Sequence, residues 1–219
     1  MFVIQNIVQP SYRSRFINLN SAPQSADKNQ VFLSDDLRDV YEVEPTKLLA
    51  IPSSPIAYWV SEGAIDAFDQ ATSIGSSFEV RSGLTTGDND KFLHYWHEVT
   101  NKYIVQGVSQ RSEYYSLHNK GGDFRKWYGN AESVLKYGST NTKKMKELPG
   151  FRGDGIQYFF REMIGWSKIT SSKSSFRYYP RGFSFNTAGL AIFEANSETE
   201  IDKSLLFFLN SFSESSSKI

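Results

Sequence analysis

The sequence contains no cysteine, which excludes disulfide bonds, thiolate metal sites and cysteine nucleophiles. It also has no apolar run near the roughly 18 residues that a membrane-spanning helix requires, and residues 1–9 hold no secretory h-region. We therefore expect a cytoplasmic protein with no membrane partner. None of the seven prolines adjoins another proline, so the Asn/Asp-Pro-Pro-aromatic loop of amino-methylating enzymes, which holds the target amine, is missing.

Cofactor and metal motifs are equally scarce. The turn Gly83–Gly87 lacks the Gly-Lys-Ser/Thr ending of a phosphate-binding loop and does not match the dinucleotide fingerprint. His94, His97 and Glu98 fit no established zinc spacing. No carboxylate cluster stands with a lysine behind a clear strand, as a nuclease would require. The sequence therefore predicts no cofactor, no metal and no catalytic residue in this chain.

The chain also lacks net charge, because 24 lysine and arginine residues balance 24 aspartates and glutamates. The charges are unevenly distributed along the chain. Residues 81–181 carry 17 basic and 9 acidic side chains, whereas residues 1–80 carry 5 basic and 10 acidic ones and residues 182–219 carry 2 basic and 5 acidic ones. The central block also holds 18 of the 33 aromatic residues. Basic and aromatic side chains together favour a nucleic-acid surface, although a solvated basic face above an aromatic core explains the same composition.

Hydrophobic patterning predicts a mixed α/β (α+β) domain. Residues 1–47 show no sustained period, so we expect an irregular lead-in that is mobile or depends on a partner. Residues 48–212 form the predicted domain, and residues 213–219 form a tail.

Individual elements follow from apolar stripes and caps. Three helices are expected: one capped by Ser61, one from Asp154 to a stop at Gly165, and one with a capping box at Ser197 and Glu200. Segments rich in aromatic and β-branched residues predict strands. These strands are Phe78–Arg81, Tyr103–Val108, Ser175–Tyr179, Phe183–Phe185 and Leu190–Phe193.

Four stretches join glycine turns to Thr, Asn, Lys, Arg or Trp. They are residues 81–92 (RSGLTTGDNDKF), 119–129 (NKGGDFRKWYG), 158–169 (YFFREMIGWSKI) and 176–183 (FRYYPRGF). Glycines permit close backbone approach, so amides and short side chains can reach phosphates while Arg, Lys and Asn reach base edges.

In their order along the chain and in their amino-acid sequence, these stretches closely resemble the target-recognition region of the large adenine-specific DNA methyltransferases of phage-growth-limitation and BREX defence systems. This PglX family is akin to the type IIG restriction–modification methylases. Residues 51–59 (IPSSPIAYW) resemble the segment that precedes the region in that family. The resemblance extends from about Leu48 to Asn210.

The resemblance implies a fold like the target-recognition domains of type I specificity subunits, with a twisted β-sheet and a few packed helices. Family members transfer a methyl group from S-adenosylmethionine to the exocyclic amine of adenine. Their catalytic domain precedes the recognition region and carries glycine-rich and Asn-Pro-Pro-Tyr-like motifs, which this chain lacks. We therefore expect a DNA-recognition fragment, truncated gene product or separate subunit that is no enzyme alone. Its expected partners are double-stranded DNA and a catalytic domain, in cis or in trans, that binds the cofactor.

The expected DNA contacts lie in the glycine turns of these stretches. They are Thr85, Thr86, Gly87, Asn89, Lys120, Gly121, Gly122, Arg125, Lys126, Lys168 and Arg177. A plainer interpretation makes the glycines ordinary turn residues and the charges solvated surface. Four aromatic residues are expected to be framework rather than base-stacking groups, namely Trp127, Tyr128, Trp166 and Tyr178.

Two other functions stay open at this point. One is a protein-interaction module of a defence complex, in which the basic block binds an acidic subunit. The other is a nuclease or methyltransferase whose site follows no recognised motif.

Overall fold

The computed structural model describes residues 11–34, 39–51, 53–170 and 173–215. The chain forms helices together with antiparallel and mixed sheets, 29% helical and 27% strand, which confirms the predicted mixed α/β class. It divides into two compact units, Met1–Thr72 and Ser73–Ile219. No helix within the described ranges is long and apolar enough to cross a membrane.

The first unit combines a two-stranded sheet with short helices. Its elements are β1 (Ser14–Asn18), α1 (Lys28–Leu33), β2 (Asp39–Val43), a 3-10 helix (Pro45–Ala50) and α2 (Glu62–Gln70). The strands pair antiparallel with Ser14 opposite Val43, so this part of the chain is more regular than its weak periodicity predicts. Ser61 caps α2 as predicted, and its hydroxyl oxygen accepts the Ala64 amide at 3.3 Å.

A small apolar core holds this unit together. Leu48, Ile51, Ala57 and Ile65 are buried against one another, and Val43 packs on them. Residues 48–72 therefore pack in the same compact unit as the residues that precede them. The predicted limits of the DNA-recognition region, 48–212, stay a prediction.

The second unit alternates strands with short helices. In chain order its elements are α3 (Ile74–Ser77), β3 (Phe78–Arg81), α4 (Asn89–Phe92), β4 (Leu93–Tyr95), β5 (Ile104–Val105), β6 (Tyr114–Asn119), β7 (Ser133–Tyr137), α5 (Ser139–Lys146), β8 (Met163–Ser167), β9 (Phe176–Tyr179), β10 (Phe183–Phe185), β11 (Gly189–Glu194) and α6 (Lys203–Ser215). 3-10 turns lie at Trp96–Glu98, Asn101–Tyr103 and Ile156–Tyr158.

These strands form two sheets. One has the order β10-β6-β7-β4 with β5 added along β6, and the other has the order β3-β11-β8-β9. Strand β6 runs parallel to β10, whereas β8 is antiparallel to both of its neighbours. Because β10 and β11 belong to different sheets, the short turn at residues 186–188 carries the chain from one sheet to the other.

Two apolar clusters stabilise this unit through burial of aromatic and aliphatic area. The larger contains Leu84, Phe92, Leu135, Met145, Phe159, Met163, Tyr179, Phe183, Phe185, Ala191 and Phe193. The smaller joins α6 to the second sheet, because Leu206 and Leu209 pack with Ile164 and Ile192. The other face of α6 leaves Phe207, Phe208 and Phe212 exposed.

The helix predicted from Asp154 to Gly165 is wrong. The segment forms one 3-10 turn and then enters β8, with Phe160 between them at a φ of 67°. Strand β8 lies in the middle of its sheet, and Met163 and Ile164 are fully buried on opposite faces. A short apolar run fits a buried strand as well as a helix, so the spacing of its apolar residues does not distinguish between the two structures.

The capping box predicted at Ser197 and Glu200 is also wrong. The cap lies further along the chain, where the Asp202 carboxylate accepts the Ser204 amide at 2.8 Å as α6 begins. The predicted strand Tyr103–Val108 reduces to the two residues of β5. The remaining predicted strands are confirmed within a residue or two as β3, β9, β10 and β11.

Candidate nucleic-acid interface

The ends of several strands meet at one place. In the strand pairings Asn119 lies opposite Phe185, and Ser167 lies opposite Gly189. The loop after β6, the loop after β8 and the turn at 186–188 therefore converge around an open cleft of about 680 Å³, which we name the loop cleft. It is lined by Lys120, Gly122, Asp123, Phe124, Ser167, Lys168, Ile169, Thr170, Thr187 and Ala188.

Backbone contacts fix the three walls of the loop cleft against one another. The Ala188 carbonyl accepts the Lys168 amide at 2.9 Å, and the Gly122 carbonyl accepts the Ser167 hydroxyl at 2.7 Å. Gly121 has a φ of +82°, and a Cβ there would lie 2.8 Å from the Ala188 carbonyl oxygen. Only glycine satisfies both the backbone angle and the close approach.

Asn119 joins these walls to the sheets from below and is fully buried. Its side-chain oxygen accepts the Gly121 amide at 3.0 Å and the Tyr179 hydroxyl at 3.1 Å, while its amide group donates to the Gly189 carbonyl at 3.3 Å. The predicted set of site residues did not include Asn119. An Asn two residues before a glycine is a recognised turn signal, so the sequence did carry a clue.

Arg177 belongs to the support of the cleft and not to its surface. Its exposed fraction is 0%, so its side chain does not reach the surface where the sequence predicts a direct contact with DNA. The guanidinium donates to the Tyr179 hydroxyl at 3.2 Å, to the Ser175 hydroxyl at 3.1 Å and to the Ser167 hydroxyl at 3.2 Å. The guanidinium donors, which the sequence pattern assigns to a ligand, are thus used in hydrogen bonds inside the protein.

Two further clefts adjoin the loop cleft, and Lys120 lines all three. The second cleft is lined by Tyr95, Lys120, Gly121, Gly122, Asp123, Arg125, Asn130, Glu132 and Ser133. The third is lined by Asn89, Asp90, Leu93, His94, Tyr95, Glu98, Lys120 and Ser133. Of the predicted DNA contacts, the structure thus brings together Asn89, Lys120, Gly121, Gly122, Arg125 and Lys168 along one continuous surface.

The turn at residues 85–89 is mostly structural. Thr86 is 1% exposed, and its hydroxyl donates to the Asn89 side-chain oxygen at 2.9 Å while accepting the Asp88 amide at 3.2 Å. The side chain of Thr86, predicted to contact DNA, is therefore buried, and its hydroxyl is used in hydrogen bonds within the turn. The Thr85 amide donates to the Arg152 carbonyl at 2.8 Å, and the Arg152 amide donates to the Thr85 carbonyl at 3.0 Å.

Gly87 packs closely, since a Cβ there would approach Leu148 to 2.9 Å at a φ of +81°. Asn89, at the start of α4, is exposed and faces the third cleft. Asn89, at the end of this turn, is therefore placed where its side chain can reach a ligand.

The loop that follows the glycines is held along β9. The Trp127 amide donates to the Phe176 carbonyl at 3.1 Å, and the Tyr178 amide donates to the Trp127 carbonyl at 2.8 Å. Trp127 has a φ of 73° and stacks on Phe207 with ring centroids 6.0 Å apart. Lys126 donates to the Asn210 carbonyl at 3.1 Å, so its ammonium group points towards α6.

Arg125 pairs with Glu132 at 3.3 Å, with both side chains about half exposed. Such an exposed pair is weak, so the guanidinium remains available to a ligand.

His118, at the end of β6, is buried beside this site. Its Nδ1 lies 2.8 Å from the Ser184 hydroxyl, and its Nε2 has no hydrogen-bond partner among the described residues. Burial lowers the pKa of His118 to about 3, with the Lys120 charge adding to the effect. The imidazole is therefore neutral at physiological pH. No group of three or more His, Cys, Asp or Glu side chains in the described ranges could hold a metal ion.

By fold and site, this is a mixed α/β protein with three adjoining clefts at the ends of its strands, and the loop cleft is lined by more cations than carboxylates. The chain is homologous to a region of the adenine-specific methyltransferases of BREX systems, as the resemblance predicted. Adenine-specific methyltransferase PglX of Lacticaseibacillus casei (strain Zhang) is 34% identical over 235 aligned residues, covering 98% of this chain and 19% of that protein. Adenine-specific methyltransferase BrxX of Escherichia coli O9:H4 (strain HS) is 32% identical over 162 residues, 74% of this chain and 13% of that protein.

The chain thus spans about a fifth or less of the length of these two relatives. No protein-family model matches it.

Proposed function

We propose that this chain is the DNA target-recognition part of a PglX-type adenine-specific methyltransferase. The observation that carries the proposal is the continuous surface formed by the three clefts, on which Asn89, Lys120, Arg125 and Lys168 lie. Lysine and arginine neutralise phosphates, while Asn and Arg side chains can form paired hydrogen bonds with base edges. Homology to two adenine-specific methyltransferases supports the same assignment.

The walls of these clefts support recognition because they are held rigidly. A side chain reads a base only when its backbone is fixed. Here Asn119 and Ala188 accept backbone amides of the cleft walls, and Ser167 donates to the Gly122 carbonyl. The basic block at residues 81–181 contains every cation that lines the three clefts. The overall neutral charge is therefore compatible with a polyanion ligand.

Methyl transfer belongs, in this proposal, to a catalytic domain in cis or in trans. The residues of this chain do not fit S-adenosylmethionine. No Pro-Pro loop is present, and the start of the glycine turn packs against protein, because a Cβ at Gly83 would lie 2.2 Å from the Phe185 carbonyl oxygen. No step of the chemistry is therefore assigned to residues of this chain.

A duplex selection tests the proposal. The full chain is incubated with a pool of randomised DNA duplexes, bound duplexes are sequenced over several rounds, and affinity is compared between the enriched duplex and a scrambled one. We expect at least about a tenfold preference, which corresponds to about one base-pair mismatch. The variant Asn89→Ala should lower this preference while leaving affinity for the scrambled duplex nearly unchanged.

Two results would contradict the proposal. Absence of any enriched sequence from a folded protein would remove DNA recognition and favour the protein-interaction alternative. Micromolar binding of S-adenosylmethionine in calorimetry would show that the chain holds a cofactor site and is more than a recognition part.

A further inference from the structure

The three clefts differ in the charges that line them. The loop cleft has two lysines, Lys120 and Lys168, against the single carboxylate of Asp123. The second cleft has two cations and two carboxylates, and there Arg125 already pairs with Glu132. The third has Lys120 with two carboxylates. An anionic group is therefore favoured in the loop cleft over its two neighbours.

A buried positive charge lies directly beneath the loop cleft. The guanidinium of Arg177 is fully buried, and no carboxylate forms an ion pair with it in the described part of the chain. Its hydrogen bonds go to hydroxyl and carbonyl oxygens, which carry no net charge. A buried charge without a counter-charge is unfavourable, and an anion nearby would relieve that cost.

One hydroxyl separates this guanidinium from the cleft. The Ser167 hydroxyl accepts from Arg177 at 3.2 Å and donates to the Gly122 carbonyl at 2.7 Å, and both Ser167 and Gly122 line the loop cleft. The floor of the cleft is therefore positively charged by a group that solvent does not screen.

We propose that the loop cleft binds one backbone phosphate of duplex DNA, which deepens and rests on the proposed function. Lys120 and Lys168 contact the phosphate oxygens from opposite walls, and Arg177 attracts the charge from below. The exposed side chains of Phe124 and Ile169 at the rim pack against the adjoining deoxyribose. This phosphate fixes the register of the duplex, so that Asn89 and Arg125 in the neighbouring clefts face base edges.

The test uses the full chain and the duplex enriched in the selection described above. A series of duplexes is made in which one phosphate at a time is replaced by an uncharged methylphosphonate. Binding of the wild type is compared with Lys120→Gln, with Lys168→Gln and with the control Lys143→Gln, an exposed lysine on α5 that lines none of the three clefts.

For the wild type and Lys143→Gln, we expect a small set of sensitive positions, each costing about tenfold in affinity, as expected for hydrogen bonds to a charged group. In Lys120→Gln and in Lys168→Gln, the loss at the same single position should fall from about tenfold to about threefold, because one of the two lysines still contacts that phosphate. A reduced loss at one shared position in both variants means that both lysines contact one phosphate.

Other outcomes would overturn the inference in distinguishable ways. Desensitisation at two different positions, or at none, contradicts a shared phosphate while DNA recognition stands. If inorganic phosphate binds the wild type and not Lys168→Gln, while DNA affinity is equal in both, the cleft serves free phosphate instead. If the wild type binds no duplex at all, the proposed function fails together with this inference.

Discussion

His118 shows how one buried side chain sets the response of the fold to acid. Its folded-state pKa is about 3, below the ordinary value of 6.5, because burial disfavours the charged imidazole. A depressed pKa means that folding favours the neutral form. The corresponding stability is complete above about pH 6.5 and is lost as the pH falls towards 3.

The free energy of unfolding should therefore fall by about 1.5 kcal/mol between about pH 6.5 and 5, since each pH unit in this window is worth up to about 1.4 kcal/mol. In His118→Gln this slope should be nearly absent. Urea unfolding at several pH values measures both, with His97→Gln as a control at an exposed histidine. Parallel pH profiles for the wild type and His118→Gln would contradict a buried neutral imidazole.

Arg125 and Trp127 stand two residues apart and should behave differently. Arg125→Gln removes an exposed charge whose ion pair with Glu132 is weak, so it should weaken DNA binding and leave the free energy of unfolding within about 0.5 kcal/mol. Trp127→Ala removes a ring that stacks on Phe207 and is 41% exposed. Its loss should cost about 2 kcal/mol, less than for a fully buried aromatic.

Thermal unfolding and a fluorescence binding titration on both variants separate these effects. Equal destabilisation by the two substitutions would show that the charge is structural. Normal stability of Trp127→Ala would show that the ring is not part of the framework.

At the scale of elements, the glycine turn after β6 decides the geometry of the loop cleft. Gly121 and Gly150 have almost the same φ, +82° and +85°, but only Gly121 has neighbours that a Cβ would meet. Gly150→Ala thus measures the cost of the backbone angle alone, about 1 kcal/mol. Gly121→Ala adds the clash with Ala188 and should cost about 1 to 3 kcal/mol more.

The two glycine variants are compared by chemical denaturation and by DNA affinity. Only Gly121→Ala should lower the affinity, because only its loop forms a wall of the clefts. Similar stability and affinity in both variants would mean that the Ala188 contact yields easily and does not shape the site.

The elements that the sequence could predict are those with a strong local signal. Strands β9, β10 and β11 are rich in aromatic and β-branched residues, and α2 begins after a serine cap. These local features were enough to predict the four elements from the sequence. Strand β8 failed because its apolar residues also fit a helical stripe, and only its place between β9 and β11 resolves the choice.

The same division holds for the candidate site. Glycine turns with nearby cations predicted Lys120, Gly121, Gly122 and Lys168, which the structure does bring to two adjoining clefts. The local sequence pattern does not indicate burial, so it predicts Arg177 and Thr86 as surface contacts although both side chains are buried. An arginine beside a glycine turn has the same local pattern whether its side chain turns outward or inward.

At the scale of the whole molecule, the uneven distribution of charge should control DNA binding. Residues 81–181 carry 17 basic and 9 acidic side chains, and a surface contacting about 4 to 6 phosphates gives a log–log salt slope near −4 to −5. Affinity for a duplex should thus fall steeply between low and moderate salt. Fluorescence anisotropy at several salt concentrations measures the slope, and an affinity that hardly changes would contradict phosphate contact.

The loop after β6 is tied to the scaffold at both ends, at Gly121 by Asn119 and at Trp127 by β9. A further bond from the Asn130 side chain to the Asp123 carbonyl closes it at 2.8 Å. These ties reach the loop through backbone atoms of Gly121, Asp123 and Trp127, and the side chains of residues 123–125 take no part in them. This short stretch can therefore vary in sequence without refolding the scaffold. Under the proposed function, related proteins with the same anchors would acquire new target sequences by exchanging only a few residues.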